Sequence, residues 1–314
     1  MKNKILFLIC MELIPIISYS QTATYYRYWI FIYQGDSLYK KSNYKAAYKA
    51  YKKALHIGKD GLIRPAHLYN GACCAAKANQ KNVAFKWLLQ QVMQKKDWYS
   101  DGISNDSDLV SLHNDRRWNI LMDTLQQRKL NIERNYDKPL QKELKDIWEY
   151  DQGVRIKYIA ETEKAHPDSV LINCLIKEME HVDSINLQKV THILDTRGWV
   201  GQRTVGNAAR SIWLVIQHAD ISIEKKYLPM IRNAVERGDI SPDMLGMLED
   251  RINTFEGKKQ RYGSQITMNN DGSYSLDPLE DPKMIDQWRE SIGMEPICCY
   301  VKLYGIIWPK TSSK

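Results

Sequence analysis

Apolar residues recur along most of this chain at spacings of three and four, the period of an amphipathic helix. Read this way, Leu140 to about Lys164, Asp168 to about Arg197, Thr204 to Ala219, Ser222 to Arg237 and Ser241 to Glu256 are five successive helices. Each opens on a residue that can cap it, and Gly238 and Gly257 stand where two of them should stop. The period changes once: Gln265 to Leu276 alternates around Asn270-Asp271-Gly272, the signature of a β-hairpin. A last helix is expected from Asp281 to Ile292, after the turn-rich Asp277-Pro278. The fold class that follows is mainly α, with helical elements at both ends and one small hairpin.

The first third of the chain has the same period with a repeat in it. Gly35, Leu38, Tyr39, Ala47, Tyr51 and Ala54 are spaced as two helices that cross at a glycine and meet again at an alanine. Gly71, Ala84 and Leu88 stand in corresponding places about 36 residues on, with one extra residue in the turn. These residues resemble tetratricopeptide repeats, which implies helical hairpins that stack and bind a protein or peptide partner. A stack needs a cap. Asp108 as N-cap, with Leu109, Leu112, Trp118, Leu121 and Leu125 as apolar anchors, supplies the expected capping helices. Asp101, Asp106 and Asp108 lack the glycine turn and distal Glu of a calcium loop, so they read as turn and cap residues.

Charge divides the chain in the same place. Residues 22–136 hold 19 Lys or Arg against 9 Asp or Glu, whereas residues 137–314 hold 24 against 27. Lys40, Lys41, Lys45, Lys49, Lys52 and Lys53 fall on the outer side of a helical pattern and read first as a solvated face. Asp137-Lys138-Pro139 reads as a linker and helix start. Residues 1–20 have the order of an export signal: Lys2 and Lys4, an apolar run from Ile5 to Ile17, then Ser18-Tyr19-Ser20, with the mature chain starting at Gln21. Glu12 and Pro15 interrupt that run, and it is short of the roughly 20 residues a membrane span needs. Ile9 before Cys10 is too large for a lipoprotein signal. The domains expected are therefore a signal peptide (1–20), a repeat domain with capping helices (21–134), a linker (135–139), a helical domain (140–309) and a tail (310–314).

An exported, periplasmic or secreted protein with no stable membrane insertion and no nucleic-acid partner fits this organisation. Five cysteines outside the signal, Cys73, Cys74, Cys174, Cys298 and Cys299, are an odd number without C-x-x-C or zinc spacing, and read as small buried side chains.

Candidate chemistry gathers between Trp213 and Gln265. Gln217, His218, Asp220, Asp250, Arg251, Gln260, Arg261, Tyr262 and Gln265 punctuate an otherwise apolar helical pattern, and solvated faces are more often finished with Lys and Glu. Asn207, Arg210, Ser211, Leu214, Gln217 and His218 share one stripe of the Thr204–Ala219 helix, and a buried polar stripe must find partners. Asp151, Arg155, Asp183, Asp250 and Arg251 are candidates. Two readings stay open. The residues lock helices and hairpin together, or they line a pocket in which His218 carries a proton, oriented by Asp250 or Asp220, while Arg251 or Arg155 grips an anion. Arg251 is the expected bridge, and His218, Asp250, Arg251, Tyr262 and Gln265 are expected to converge. No G-x-S-x-G, H-E-x-x-H or phosphate loop occurs, and no metal or cofactor is expected.

Residues Leu140 to about Pro309 also resemble a bacterial family known as a domain of unknown function, numbered 6624. Asp151-Gln152 with Arg155, Asp183 with Asn186, Gly198-Trp199, Val205-Gly206, Gln217-His218-Ala219-Asp220, Asp250-Arg251 and Gln260 to Gln265 carry that resemblance. Val200 stands where proline is expected, and Ser264 where threonine is. The resemblance implies no reaction. The function expected is protein or peptide interaction through the repeats, with a polar small-ligand site at Asp151, Gln152, Arg155, Gln217, Gln260, Arg261, Tyr262 and Gln265. The alternative is a hydrolase-like enzyme that uses His218 as general acid/base with Asp250 and Arg251.

Overall fold

A computed structural model describes residues 14–58, 61–94 and 102–308, with side chains from residue 23 onward. The expected signal, apart from the start of the first helix, and the expected tail lie outside the described residues. The protein is mainly α with one small antiparallel hairpin, as the periodicity predicts. Among the described residues no helix is long and apolar enough to cross a membrane.

Two compact units form, and they follow contacts instead of chain order. The first holds the described residues through Lys129, then Ile266–Leu276 and everything described from Asp281 on. The second holds Leu130–Gln265 with Asp277–Glu280.

In the first unit, α1 (Ile14–Lys40) and α2 (Tyr44–Ile57) form one hairpin, and α3 (Pro65–Lys77) and α4 (Lys81–Gln94) form another. Asn43 caps α2 by accepting the N–H of Ala46, at 3.3 Å. The crossing glycine is explained by Tyr51: a Cβ on Gly35 would stand 2.6 Å from that ring. Ala47, Tyr51 and Ala54 are fully buried beneath it. At Gly71 a Cβ would lie 3.2 Å from the Trp87 ring and 3.3 Å from Leu55, a tighter approach than side chains ordinarily accept.

Leu109, Leu112, Trp118, Leu121 and Leu125 join this core, the last three from α5 (Arg116–Glu133). Asp108 does not cap that helix. It accepts the Tyr39 hydroxyl at 2.5 Å and lies 3.6 Å from Lys77, while Asp115 accepts the N–H of Arg117 at the helix start. Cys73 and Cys74 are buried as expected, but Cys174 is exposed and Cys298 and Cys299 are half-buried, and all five are free thiols.

The second unit is a bundle of α6 (Lys138–Thr162), α7 (Ser169–Arg197), the single turn α8 (Gln202–Val205), α9 (Arg210–His218), α10 (Ile221–Glu236) and α11 (Pro242–Phe255). Asp137 and Asp168 cap α6 and α7 through their carboxylates, a contribution of about 1 kcal/mol each. The helix expected from Thr204 to Ala219 is broken. Gly206 has φ +63° with the Tyr136 ring so close that a Cβ would stand 2.8 Å from it, and residues 206–209 tighten into a 3₁₀ turn before α9 begins. Leu144, Ile147, Val190, Ile212, Ile216, Tyr227 and Ile231 are the centre of the core.

The hairpin pairs β1 (Ile266–Met268) with β2 (Tyr274–Leu276), Ile266 opposite Leu276. Gly272 at φ +80° makes its turn. Beyond it, α12 (Ile285–Ser291) is shorter than the helix expected from Asp281, and α13 (Ile297–Lys302) was not anticipated. Both belong to the first unit, where hydroxyls of α1 reach the turn between them: Tyr25 donates to the Met294 carbonyl and Tyr33 to Glu295.

Candidate functional site

On α6 the buried positions Leu140, Leu144, Ile147, Asp151 and Val154 step by four and three, so Asp151 occupies a core position of an apolar stripe. Two neighbouring helices meet that stripe through polar groups. Ser211 on α9 donates its hydroxyl to the Leu144 carbonyl at 2.7 Å, and Asn186 on α7 donates to the Ile147 carbonyl at 3.4 Å. Two turns beyond Leu144 stands Asp151, and two turns beyond Ser211 stands His218. The register of α6 on α9 therefore delivers the imidazole to the carboxylate: His218 Nδ1 lies 3.1 Å from Asp151 Oδ2.

The Asp151 carboxylate is completely buried and fully used. Oδ1 accepts from Gln152 at 2.7 Å, and Oδ2 receives His218 together with Arg155 Nη1 at 3.1 Å. Arg155 also holds both oxygens of Asp183, at 2.9 and 2.8 Å. Burial pushes the Asp151 carboxyl up, but the hydrogen bonds from His218 and Gln152 and the charges of His218 and Arg155 outweigh it, leaving the carboxyl below its usual value. Since a carboxylate only accepts, the proton between the two groups sits on His218 Nδ1. When the ring is neutral, Nε2 carries the lone pair. It has no protein partner among the described residues and is not enclosed, so it meets solvent.

Asp151, Asp183 and His218 offer three ligand atoms within 4.8 Å of one another, the spacing of a cation site. Arg155 already bridges the two carboxylates, so the positive charge there is a side chain of the chain itself.

The remaining candidates assemble elsewhere. Asp250 is not the partner of His218. From a fully buried position on α11 it accepts the backbone N–H of Arg261 at 2.7 Å, of Tyr262 at 3.1 Å and of Ser264 at 3.0 Å, and the Ser264 hydroxyl at 3.0 Å. Burial raises its pKa and those four donors oppose the rise. Gly263, at φ +66°, lets the chain curl around the carboxylate. Gln260 completes the knot by donating to the Gln265 and Asp277 carbonyls and accepting the N–H of Gln265. Gln265 in turn reaches Ser264 and the Met247 carbonyl. The Gln260–Gln265 stretch is thus a loop tied to a buried acid through its backbone and the Ser264 hydroxyl, with the Gln260 and Gln265 side chains spent on the tie. Arg261 and Tyr262 border a cleft of about 260 Å³ with Arg232, Glu249 and Asn253, and Arg261 pairs with Glu280.

Arg251 does not bridge these groups. Its Nε lies 2.8 Å from Oε1 of Glu224, out of line for a hydrogen bond, and neither oxygen of that fully buried carboxylate has one. Burial pushes Glu224 up to about 7, against the pull of Arg251. Asp220 is exposed and Gln217 half-buried, and neither side chain has a hydrogen-bond partner among the described residues.

Sequence reasoning missed Glu224, which reads as one acid beside Lys225 and Lys226 on a solvated helix. Its signal was the register Glu224, Tyr227, Ile231, Ala234, a core stripe with one charged member.

No curated protein and no solved structure matches this chain. Residues 27–133, for which tetratricopeptide repeats were expected, match instead the family described as A/B hydrolase-like, N-terminal domain. Residues 138–308, more than half of the chain, match the family of unknown function DUF6624. The protein belongs to the DUF6624 family.

Proposed function

We propose that the second unit is a hydrolase-like acid–base site in which His218 Nε2 takes and returns the proton. One observation carries the reading: a completely buried carboxylate, Asp151, holds Nδ1 at 3.1 Å while Nε2 is left facing solvent. Orientation of an imidazole from behind is what general-base chemistry needs, and such a group contributes about 10² to 10⁴ in rate. Arg155 acts as a positioning residue that helps keep Asp151 ionised and fixed, and Asp183 holds Arg155 in place. No hydroxyl or thiol is hydrogen bonded to His218 among the described residues, which favours an activated water as nucleophile. The similarity of residues 27–133 to a domain named for hydrolase-like proteins supports the same class.

The same absence of a bound nucleophile favours a second reading, capture of a small polar ligand without turnover. For the first unit we propose tetratricopeptide-like docking of a polypeptide, supported by the glycine crossings at Gly35 and Gly71 and by its basic charge. Export to the periplasm or beyond is proposed on the order of residues 1–20 alone.

The dyad is tested without knowing the substrate. Diethyl pyrocarbonate should acylate His218 Nε2 in the native protein, and Asp151→Asn should slow that reaction and change the imidazole ¹⁵N shifts, because the anionic acceptor that fixes the tautomer is gone. A His218 that resists acylation until the protein unfolds would refute an open acid–base site and leave it as an interior strut.

A further inference from the structure

Within the second unit, α10 and α11 border a cleft of about 260 Å³, and neither His218 nor Asp151 lines it. Leu228 and Arg232 stand one turn apart on α10, and Glu249, Ile252 and Asn253 fall within one turn of α11, so each helix gives the cleft a row of side chains. Arg261, Tyr262 and Glu280 complete the walls. The loop that supplies Arg261 and Tyr262 is fixed from behind. Asp250 takes the backbone N–H groups of Arg261, Tyr262 and Ser264, and the Gln260 side chain locks the loop at Gln265, so the tie consumes neither the Arg261 guanidinium nor the Tyr262 phenol. A tie needs no arginine or tyrosine at those places. A fixed backbone that sets two long side chains against a cleft is the arrangement of a preorganised binding site.

Charge decides what fits there. Arg232 Nε and Nη2 donate to Glu249 Oε1 at 3.0 and 2.8 Å, and Arg261 Nε and Nη2 donate to Glu280 Oε2 and Oε1, both at 3.0 Å. Each guanidinium is already matched by a carboxylate, so a charged ligand would have to break a pair. The groups left open are of both kinds. Glu249 Oε2 can accept, the Asn253 amide can donate and accept, and neither has a hydrogen-bond partner among the described residues. Leu228, Ile252 and the Tyr262 ring add apolar surface beside them. Adjacent hydroxyls, each both donor and acceptor, together with a C–H face are what a sugar ring offers such walls.

We propose that this cleft binds a neutral saccharide, with Glu249 and Asn253 hydrogen bonded to neighbouring hydroxyls and Tyr262 against the C–H face of the ring. The two arginine–glutamate pairs hold the polar walls in place and select against charged ligands. The site is separate from the His218 dyad and stands or falls without it.

Titration of the full-length protein with the methyl glycosides of glucose, galactose, mannose and N-acetylglucosamine, followed in ¹H–¹⁵N spectra, tests this. At least one should bind with Kd on the order of 1 mM, shifting the Asn253 side-chain amide and the Arg261 Nε–H while leaving the His218 ring signals in place. Asn253→Ala and Tyr262→Ala keep the backbone tie and should each weaken that binding about tenfold, whereas Tyr262→Phe, which retains the ring, should not. Should one alanine variant unfold, the other decides. Sodium glutamate and inorganic phosphate, as charged controls, should leave the cleft signals unmoved. The inference is overturned if none of the four glycosides shifts those signals, if the alanine variants bind like wild type, or if glutamate or phosphate shifts them instead.

Discussion

Replacing Glu224 with Gln should make the protein more stable in alkaline buffer and remove part of its pH dependence. The carboxylate is completely buried, neither oxygen accepts a hydrogen bond among the described residues, and the side chain of its cationic neighbour Arg251 is about 43 % exposed. Burial therefore dominates and pushes the pKa from 4.5 up to about 7. A group whose pKa is higher in the folded state favours folding when protonated. Its stabilising contribution is complete below the unfolded value near 4.5 and is lost as pH rises through 7. The displacement is worth up to roughly 3 kcal/mol at pH 8.5, taking 1.36 kcal/mol per pH unit.

His67 works in the other direction: burial, helped by Arg64, lowers it to about 3, so it weakens the fold as pH drops below about 6.5. The two slopes overlap in wild type, and the difference between wild type and Glu224→Gln isolates the carboxylate. Urea unfolding at pH 5, 6, 7 and 8.5 provides the measurement. Near-equal stability of the two proteins at pH 5, with the Gln variant ahead by roughly 1 to 3 kcal/mol at pH 8.5, is expected. A constant difference across that range would refute the assignment of an ionisable, hydrogen-bond-starved Glu224.

Two further changes probe the scaffold. Gly35→Leu puts a side chain where even a Cβ would stand 2.6 Å from the Tyr51 ring, and should cost about 1 to 3 kcal/mol, seen as a lower melting temperature; an unchanged melt would refute the close crossing of α1 and α2. Asp250→Ala leaves the N–H groups of Arg261, Tyr262 and Ser264 without their acceptor and should cost about 2 to 4 kcal/mol in denaturant, with faster amide exchange at those residues. Acylation of His218 should persist in that variant. Its loss would mean that the loop knot and the His218 dyad are one site after all.

Helix periodicity, the hairpin around Gly272 and the close approach at Gly35 were legible in the chain, because each depends on residues near one another in sequence: apolar spacing, a turn, a missing Cβ. The sequence also marked His218, Asp151, Arg155, Asp250 and Gln260 as residues out of place on solvated helices. It could not pair them. His218 and Asp151 are 67 residues apart, and they meet only because α9 lies on α6 in the register that sets Ser211 on Leu144. Asp250 looked equally suited to an imidazole, but tertiary packing turned it toward the backbone N–H groups of a loop. Arg251 was drawn off by Glu224, an acid whose burial no local pattern of charges reveals. The return of residues 284–302 to α1 was likewise beyond the sequence, since local pattern settles which stretches become helices while long-range contact decides which faces those helices cover.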